Sequence, residues 1–152
     1  MKATAYKRGQ PTGEVELERV DGVWMTAELE AAWAPMRDAA AADGITLVPT
    51  FGFRRAEEQR RLFELRMDQP GDSAEVKARK AATRARDGIA ARPGWSRHQS
   101  GTAIDVRTGL TAAAFREGKR TEIFLWLEAN APRFGFGVLR VKDEPWHLEL
   151  ER

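Results

Sequence analysis

"RPGWSRHQSGTAIDV", residues 92–106, decides how this chain is read. It opens on turn formers, reaches one of only two histidines in the chain, turns again at Gly101 and ends in a short strand-like run. On an extended chain, at about 3.3 Å per residue, His98 and Asp105 would stand roughly 23 Å apart and on opposite faces. The segment "QSG" (99–101) supplies a turn that lets them share a site, and Gly101 is the residue best able to take positive φ there. From Thr102 onward, strand alternation puts Ile104 and Val106 on one face and Ala103 and Asp105 on the other. The small Ala103 leaves open space beside the carboxylate.

The second histidine lies in "DEPWHLEL" (143–150). Alternation there turns Trp146, Leu148 and Leu150 toward a core, and His147 with Glu149 to the opposite face. Glu144 precedes Pro145, which biases it to extended backbone at the mouth of the strand. His98, Asp105 and His147 form a set of two nitrogens and one oxygen. Three protein ligands with a fourth position open is the pattern of a catalytic zinc site. Two neutral imidazoles and one carboxylate leave a bound divalent ion with a net charge of about +1, enough to act as a Lewis acid. Glu144 is then the natural general base. Taken singly, each residue has a plainer role: a hydrogen-bonded structural histidine, an edge aspartate, a solvated glutamate. From the residues alone, both accounts stand open.

Composition narrows the classes. With 152 residues, the chain is expected to form one domain, 1–152, with a single core. The formal charge is only +2, so no nucleic-acid partner is expected. There is no cysteine, which excludes disulfides, thiolate nucleophiles and sulfur-rich zinc sites. No apolar run is long enough to span a membrane, and "MKATAYKRGQ" shows no secretory h-region, so localisation stays unknown.

The pattern along the chain predicts a strand over 14–20 and a helix capped by Thr26 that ends near Asp43-Gly44, with a kink or break at Pro35. A strand follows at 45–53, weakened by Pro49, then helices at 56–67 and 74–88. Further expected elements are a strand at 102–106, a helix within 120–135, and closing strands at 137–141 and 145–151. The fold class expected is α+β, a small central antiparallel sheet flanked by helices. The tryptophans read mostly as core, with Trp95 the one placed to line a cleft beside Ser96. The basic stretch from Lys77 to Arg97 reads first as a solvated face, and alternatively as a lid or a surface for anionic polymer.

"SRHQSGTAID" fits Ser-x-His-x-x-Gly-x-Ala-x-Asp, and "EPWH" fits Glu-x-Trp-His. Together they resemble the VanY-type D-alanyl-D-alanine carboxypeptidases, zinc peptidases of bacterial cell-wall peptides. "ARPGWS", "FGFRRAEEQ" (51–59) and "RFGFG" (133–137) extend the resemblance over roughly residues 26–150. The resemblance implies one Zn²⁺ held by His98, Asp105 and His147, with Glu144 as the base. It implies that Arg54, Gln59 and Ser96 contact the substrate, a peptidoglycan stem peptide. Two departures stand out: Arg97 where many members have Glu, and Arg55 where Ser is common. The expectation is a monomeric zinc peptidase that removes a C-terminal D-alanine. An endopeptidase cutting inside the stem peptide is the alternative within the enzymes, and a non-catalytic zinc-containing binding module the alternative outside them.

Overall fold

The computed structural model describes residues 1–151. Two antiparallel hairpins come first: β1 (Lys2–Lys7) with β2 (Gln10–Glu16), and β3 (Glu18–Val20) with β4 (Val23–Met25). The single strand expected over 14–20 is therefore two. The chain changes partner at Leu17, which is fully buried in a small cluster with Ala3, Ala5 and Phe53.

Helix α1 (Ala27–Ala42) starts and stops where the sequence indicates. Thr26 Oγ1 accepts from the Leu29 amide at 3.2 Å, a cap that contributes about 1 kcal/mol. Leu29, Trp33, Met36 and Ala40 are buried at helical spacing. Pro35 does not break the helix. Pro35 and Ala31, whose carbonyl loses its helical donor, both lie on the exposed side, where water can take that bond. The strand expected at 45–53 shrinks to β5 (Pro49–Phe51). Its first half serves the helix exit instead: the Ile45 amide donates to Ala40 O at 2.8 Å, and Ile45 and Leu47 enter the core.

Helices α2 (Ala56–Arg66) and α3 (Ala74–Asp87) follow and pack on each other. Arg84 ties α3 to α2 through the Arg66 carbonyl at 2.6 Å, and Lys80 Nζ ties α3 to Asp72 of the connecting loop at 2.6 Å. Among the buried residues of this pair only Gln59 appears, so the pair is a flank rather than part of the core. The chain then makes β6 (Ala103–Val106), α4 (Ala112–Arg116), α5 (Glu122–Asn130), β7 (Phe136–Val138) and β8 (His147–Leu150). The helix expected within 120–135 gives way at Ala131 to a 3-10 turn holding Pro132.

Strands β5, β6, β8 and β7 form one antiparallel sheet in that order. Ile104, Val106, Leu148 and Leu150 join Leu29, Trp33 and Met36 of α1 and Leu127 of α5 in one core cluster. Pleating turns Ala103, Asp105, His147 and Glu149 to the other face. The register sets Asp105 opposite His147 and Ala103 opposite Glu149. The fold is α+β with a small antiparallel sheet, as expected. Trp146 departs from expectation: it precedes β8, is only half-buried, and lines the cleft on the site face.

Candidate metal centre and its cleft

Two strands and one turn build the centre. Directly opposed residues on neighbouring strands bring their side chains within reach, so the β6–β8 register alone joins Asp105 to His147. His147 Nδ1 lies 2.9 Å from Asp105 Oδ1. His98 arrives from the 3-10 turn Arg97–Gln99. The chain then reverses at Gly101, where φ is +75 and an added Cβ would lie 2.5 Å from Thr26 Cγ2. Conformation and space both demand glycine there. Thr26 Oγ1 also donates to Gly101 O at 3.1 Å, so the start of α1 holds the turn in place. The result sets His98 Nε2 3.0 Å from the same Asp105 Oδ1. All three side chains are buried, and their ligand atoms lie within 4.8 Å of one another.

The outer nitrogens of both rings are also engaged. His98 Nδ1 is 2.8 Å from the Gly52 carbonyl, and His147 Nε2 is 3.1 Å from Glu149 Oε1. All four ring nitrogens thus face oxygens that accept. A neutral imidazole has one N–H and one lone pair. With the N–H groups directed outward to Gly52 and Glu149, the inner lone pairs of both rings converge with Asp105. Such a constellation calls for a cation at its focus, and two imidazole nitrogens with one carboxylate oxygen are a donor set that fits Zn²⁺.

Protonated, the same inner nitrogens donate to Asp105 instead, and the electrostatics describe that competing state. Burial works to raise the Asp105 pKa, but the charge of His98 and the hydrogen bonds from both imidazoles hold it well below the usual carboxylate range. Burial works to lower the His147 pKa, but hydrogen bonds to Asp105 and Glu149, with the charges of Asp105 and Glu144, carry it up to about 9. Burial pushes the Glu144 carboxyl up to about 7, against the pull of His147.

The centre lies in a cleft of about 630 Å³. Glu144 lines it and is buried. The turn that brings Glu144 there is strained: Leu139 and Asp143 hold φ of 58 and 60, a condition found often at functional sites. Against Glu144, Gly88 ends α3 at φ +84, and an added Cβ would lie 2.5 Å from Glu144 Oε1. Arg54 is half-buried in the cleft wall, where its guanidinium donates to Gln59 Oε1 at 2.9 Å. Burial pushes the Arg54 pKa down, and the nearby Asp105 charge works against that. Gln59 is buried and donates through Nε2 to Ala91 O at 2.7 Å, so its amide links Arg54 to the 88–91 segment. Ser96 lines the cleft while its Oγ accepts from the His98 amide at 3.3 Å.

All seven expected site residues therefore line one cleft. Arg55 does not: its side chain pairs with Glu58 at 3.2 Å and its amide donates to Glu58 at 3.0 Å, closing the first turn of α2. That acidic partner offsets the cation at a helix N-terminus. Trp95 is exposed at the cleft rim as expected, and the Gly9 amide of the first hairpin braces the same loop by donating to Gly94 O at 2.9 Å. Sequence reasoning passed over Gly88 and gave Glu149 no role. Glu149 had a legible signal, since it shares the His147 face of β8. Gly88 had none beyond its place after a helix.

Known proteins show the same arrangement of chain. A D-alanyl-D-alanine carboxypeptidase of Enterococcus faecalis is 29% identical over 150 residues, covering 88% of this chain and 51% of that protein. The chain spans about half the length of the curated relatives it matches. The crystal structure of a mutant vancomycin-resistance D,D-pentapeptidase VanY, from a VanB-type cassette and in complex with Zn(II), superposes with a TM-score of 0.68 at 28% identity. It covers 96% of this chain and 85% of the other. VanYB in complex with D-alanine-D-alanine gives a TM-score of 0.68 at 26% identity, with coverage of 97% and 85%. The model of the VanY D-alanyl-D-alanine carboxypeptidase family matches residues 22–150. The chain belongs to the VanY family of D-alanyl-D-alanine carboxypeptidases.

Proposed function

We propose that this chain is a zinc-dependent D,D-carboxypeptidase that removes the C-terminal D-alanine of peptidoglycan stem peptides. The observation that carries this is one cleft holding both the His98–Asp105–His147 cluster and a buried carboxyl at Glu144, with Arg54 in its wall. His98 Nε2, Asp105 and His147 Nδ1 would hold one Zn²⁺. A zinc ion held there would supply Lewis acidity and lower the pKa of water.

The other steps belong to the chain's own residues. Arg54 takes the terminal carboxylate of the substrate through charge-assisted hydrogen bonds, and Gln59 orients it. Ser96 offers its hydroxyl proton to the bound peptide. Glu144 accepts a proton from the attacking water. The C–N bond breaks as the C–O bond forms, and Glu144 returns that proton to the departing amine of D-alanine. Burial prepares Glu144 for both transfers, because it raises the carboxyl pKa toward neutrality, where a proton is gained and lost readily. The buried Glu144 also separates this reading from a non-catalytic binding module, whose metal needs no base beside it. The chain acts as a single domain and a monomer, at the cell wall or in the periplasm where its substrate lies.

The deciding experiment is mass analysis of products from stem pentapeptides ending in D-Ala-D-Ala. Loss of one terminal alanine, far slower from the C-terminal amide, is expected. Equal cleavage of acid and amide, or a cut several residues inside, would replace this reading with an endopeptidase.

A further inference from the structure

We propose that Arg97 and Glu149 are positioning residues for the metal centre: Arg97 holds the Glu149 carboxylate, and Glu149 holds the ring of His147 in its metal-facing pose. The inference rests on the assignment of His147 as a ligand.

The two histidines are anchored differently. His98 turns Nε2 inward and rests Nδ1 on the Gly52 carbonyl at 2.8 Å, a main-chain atom with little freedom. His147 turns Nδ1 inward, and its outer Nε2 meets a side chain instead, Glu149 Oε1 at 3.1 Å. A glutamate has three rotatable bonds, so it anchors a ring only if something fixes it in turn. The other carboxylate oxygen, Oε2, lies 3.4 Å from Arg97 Nε. That nitrogen is shielded from solvent and makes no hydrogen bond among the described residues, so Glu149 is the anion it faces. The Arg97 side chain is 40% exposed, but its Nε is buried and the Glu149 side chain is only 16% exposed, so the facing atoms are shielded although the rest of the guanidinium is screened.

The connections close on themselves. Arg97 immediately precedes His98 in the same 3-10 turn, so the turn that presents one ligand also steadies the anchor of the other. The departure of Arg97 from the VanY pattern then has a structural reason: it meets an acidic residue across the site. Carboxylates behind ligating imidazoles fix tautomer and ring orientation and raise ligand basicity, and their loss costs about 10–100-fold in metal affinity.

The test is zinc affinity, measured by competition with a chromophoric chelator, alongside the visible spectrum of the Co²⁺-loaded protein. Neither depends on turnover. Glu149→Ala should weaken zinc binding about 10–100-fold and alter the Co²⁺ spectrum. Glu149→Gln keeps an oxygen for Nε2–H and should recover most of the affinity. Arg97→Ala should weaken binding severalfold in the unmodified chain and add nothing in the Glu149→Ala background. If Glu149→Ala does not fold by circular dichroism, the same comparison is made in the Glu149→Gln background, where Arg97→Ala should have less effect than alone. Zinc affinity within twofold of normal in Glu149→Ala, no recovery in Glu149→Gln, or an Arg97→Ala effect that ignores residue 149 overturns the relay. An unmodified chain that binds no zinc overturns the ligand assignment itself, and the relay with it.

Discussion

The cleft has a sheet wall and a loop wall, and they are held by different means. Asp105, His147 and Glu149 project from β6 and β8, whose reverse faces carry Ile104, Leu148 and Leu150 into the core. To move any of them the sheet must slip register, which would drag its apolar side chains into solvent. Glu144, Ser96 and Arg54 stand on turns and loop ends, each kept in place by a few local contacts: a glycine that leaves room, a cap, one amide. The sheet wall is thus fixed by the fold as a whole. The loop wall is set residue by residue, and under the proposed function it is the wall where specificity would change without loss of the centre.

That contrast breaks most visibly on the sheet wall. Exhaustive chelation should abolish hydrolysis and Zn²⁺ should restore it. Asp105→Ala or His147→Ala should hold well below one zinc per chain. Full turnover with metal content confirmed near zero would remove the metal from the mechanism.

On the loop wall, activity and metal should separate. Glu144→Gln should keep its zinc and lose about 10²–10⁴ in rate; loss of zinc instead would make Glu144 a ligand. The pH profile gives a second check. Glu144 acts as a base only when ionised, so activity must fall as pH drops through its pKa. Burial pushes that pKa from 4.5 up to about 7, while a neighbouring zinc charge lowers it. The acid limb should therefore lie between those values, and should be missing from the residual activity of Glu144→Gln.

Arg54→Ala should shrink the preference for a free terminal carboxylate over its amide by about 10- to 100-fold, the worth of a hydrogen bond to a charged group. Arg55→Ala, paired to Glu58 away from the cleft, should leave the preference intact. The same ratio in both variants would show that Arg54 does not read the carboxylate.

The smallest effect sharpens the comparison most. Gly88→Ala forces a side chain onto φ +84 and against Glu144 Oε1. Gly71→Ala meets the same kind of backbone strain at φ +88, with nothing within 4 Å. Both should lose about 1–2 kcal/mol of stability, but only Gly88→Ala should lower kcat, severalfold, with zinc content unchanged. Equal kcat in the two variants would mean that Glu144 does not depend on the room Gly88 leaves.

The sheet wall was legible in the sequence because alternation is a two-residue rule. It placed Asp105 and His147 on polar faces of strands whose other faces were apolar, and the register did the rest. The α1 boundaries were legible because Thr26 and Asp43-Gly44 are local signals. Misreadings arose where a long-range partner overrode a local pattern. Ile45 and Leu47 alternate like a strand but are drawn into the core beside α1. Trp146 continues the β8 alternation on paper, yet β8 begins only at His147, so Trp146 is free to turn to the cleft. Arg54, Gln59 and Ser96 were found only through family resemblance, since no periodicity marks a loop residue that faces a cleft. The proximity of Gly88 to Glu144 joins segments far apart in the chain, which no local rule reaches.

The bond from Thr26 to Gly101 spans 75 residues of chain. Its consequence is one of timing. Closing so long a loop is entropically costly, so contacts of this kind form after the local helices and hairpins. The histidine turn is aimed only when the capped end of α1 reaches it, and the core contacts of α1 with β8 join segments at least as far apart. The place for the ion is therefore completed together with the core, after the local elements have formed. Refolding without metal should reach native helix content at the same rate as refolding with it, and a chain arrested before this closure should have its helices but no ability to hold the ion.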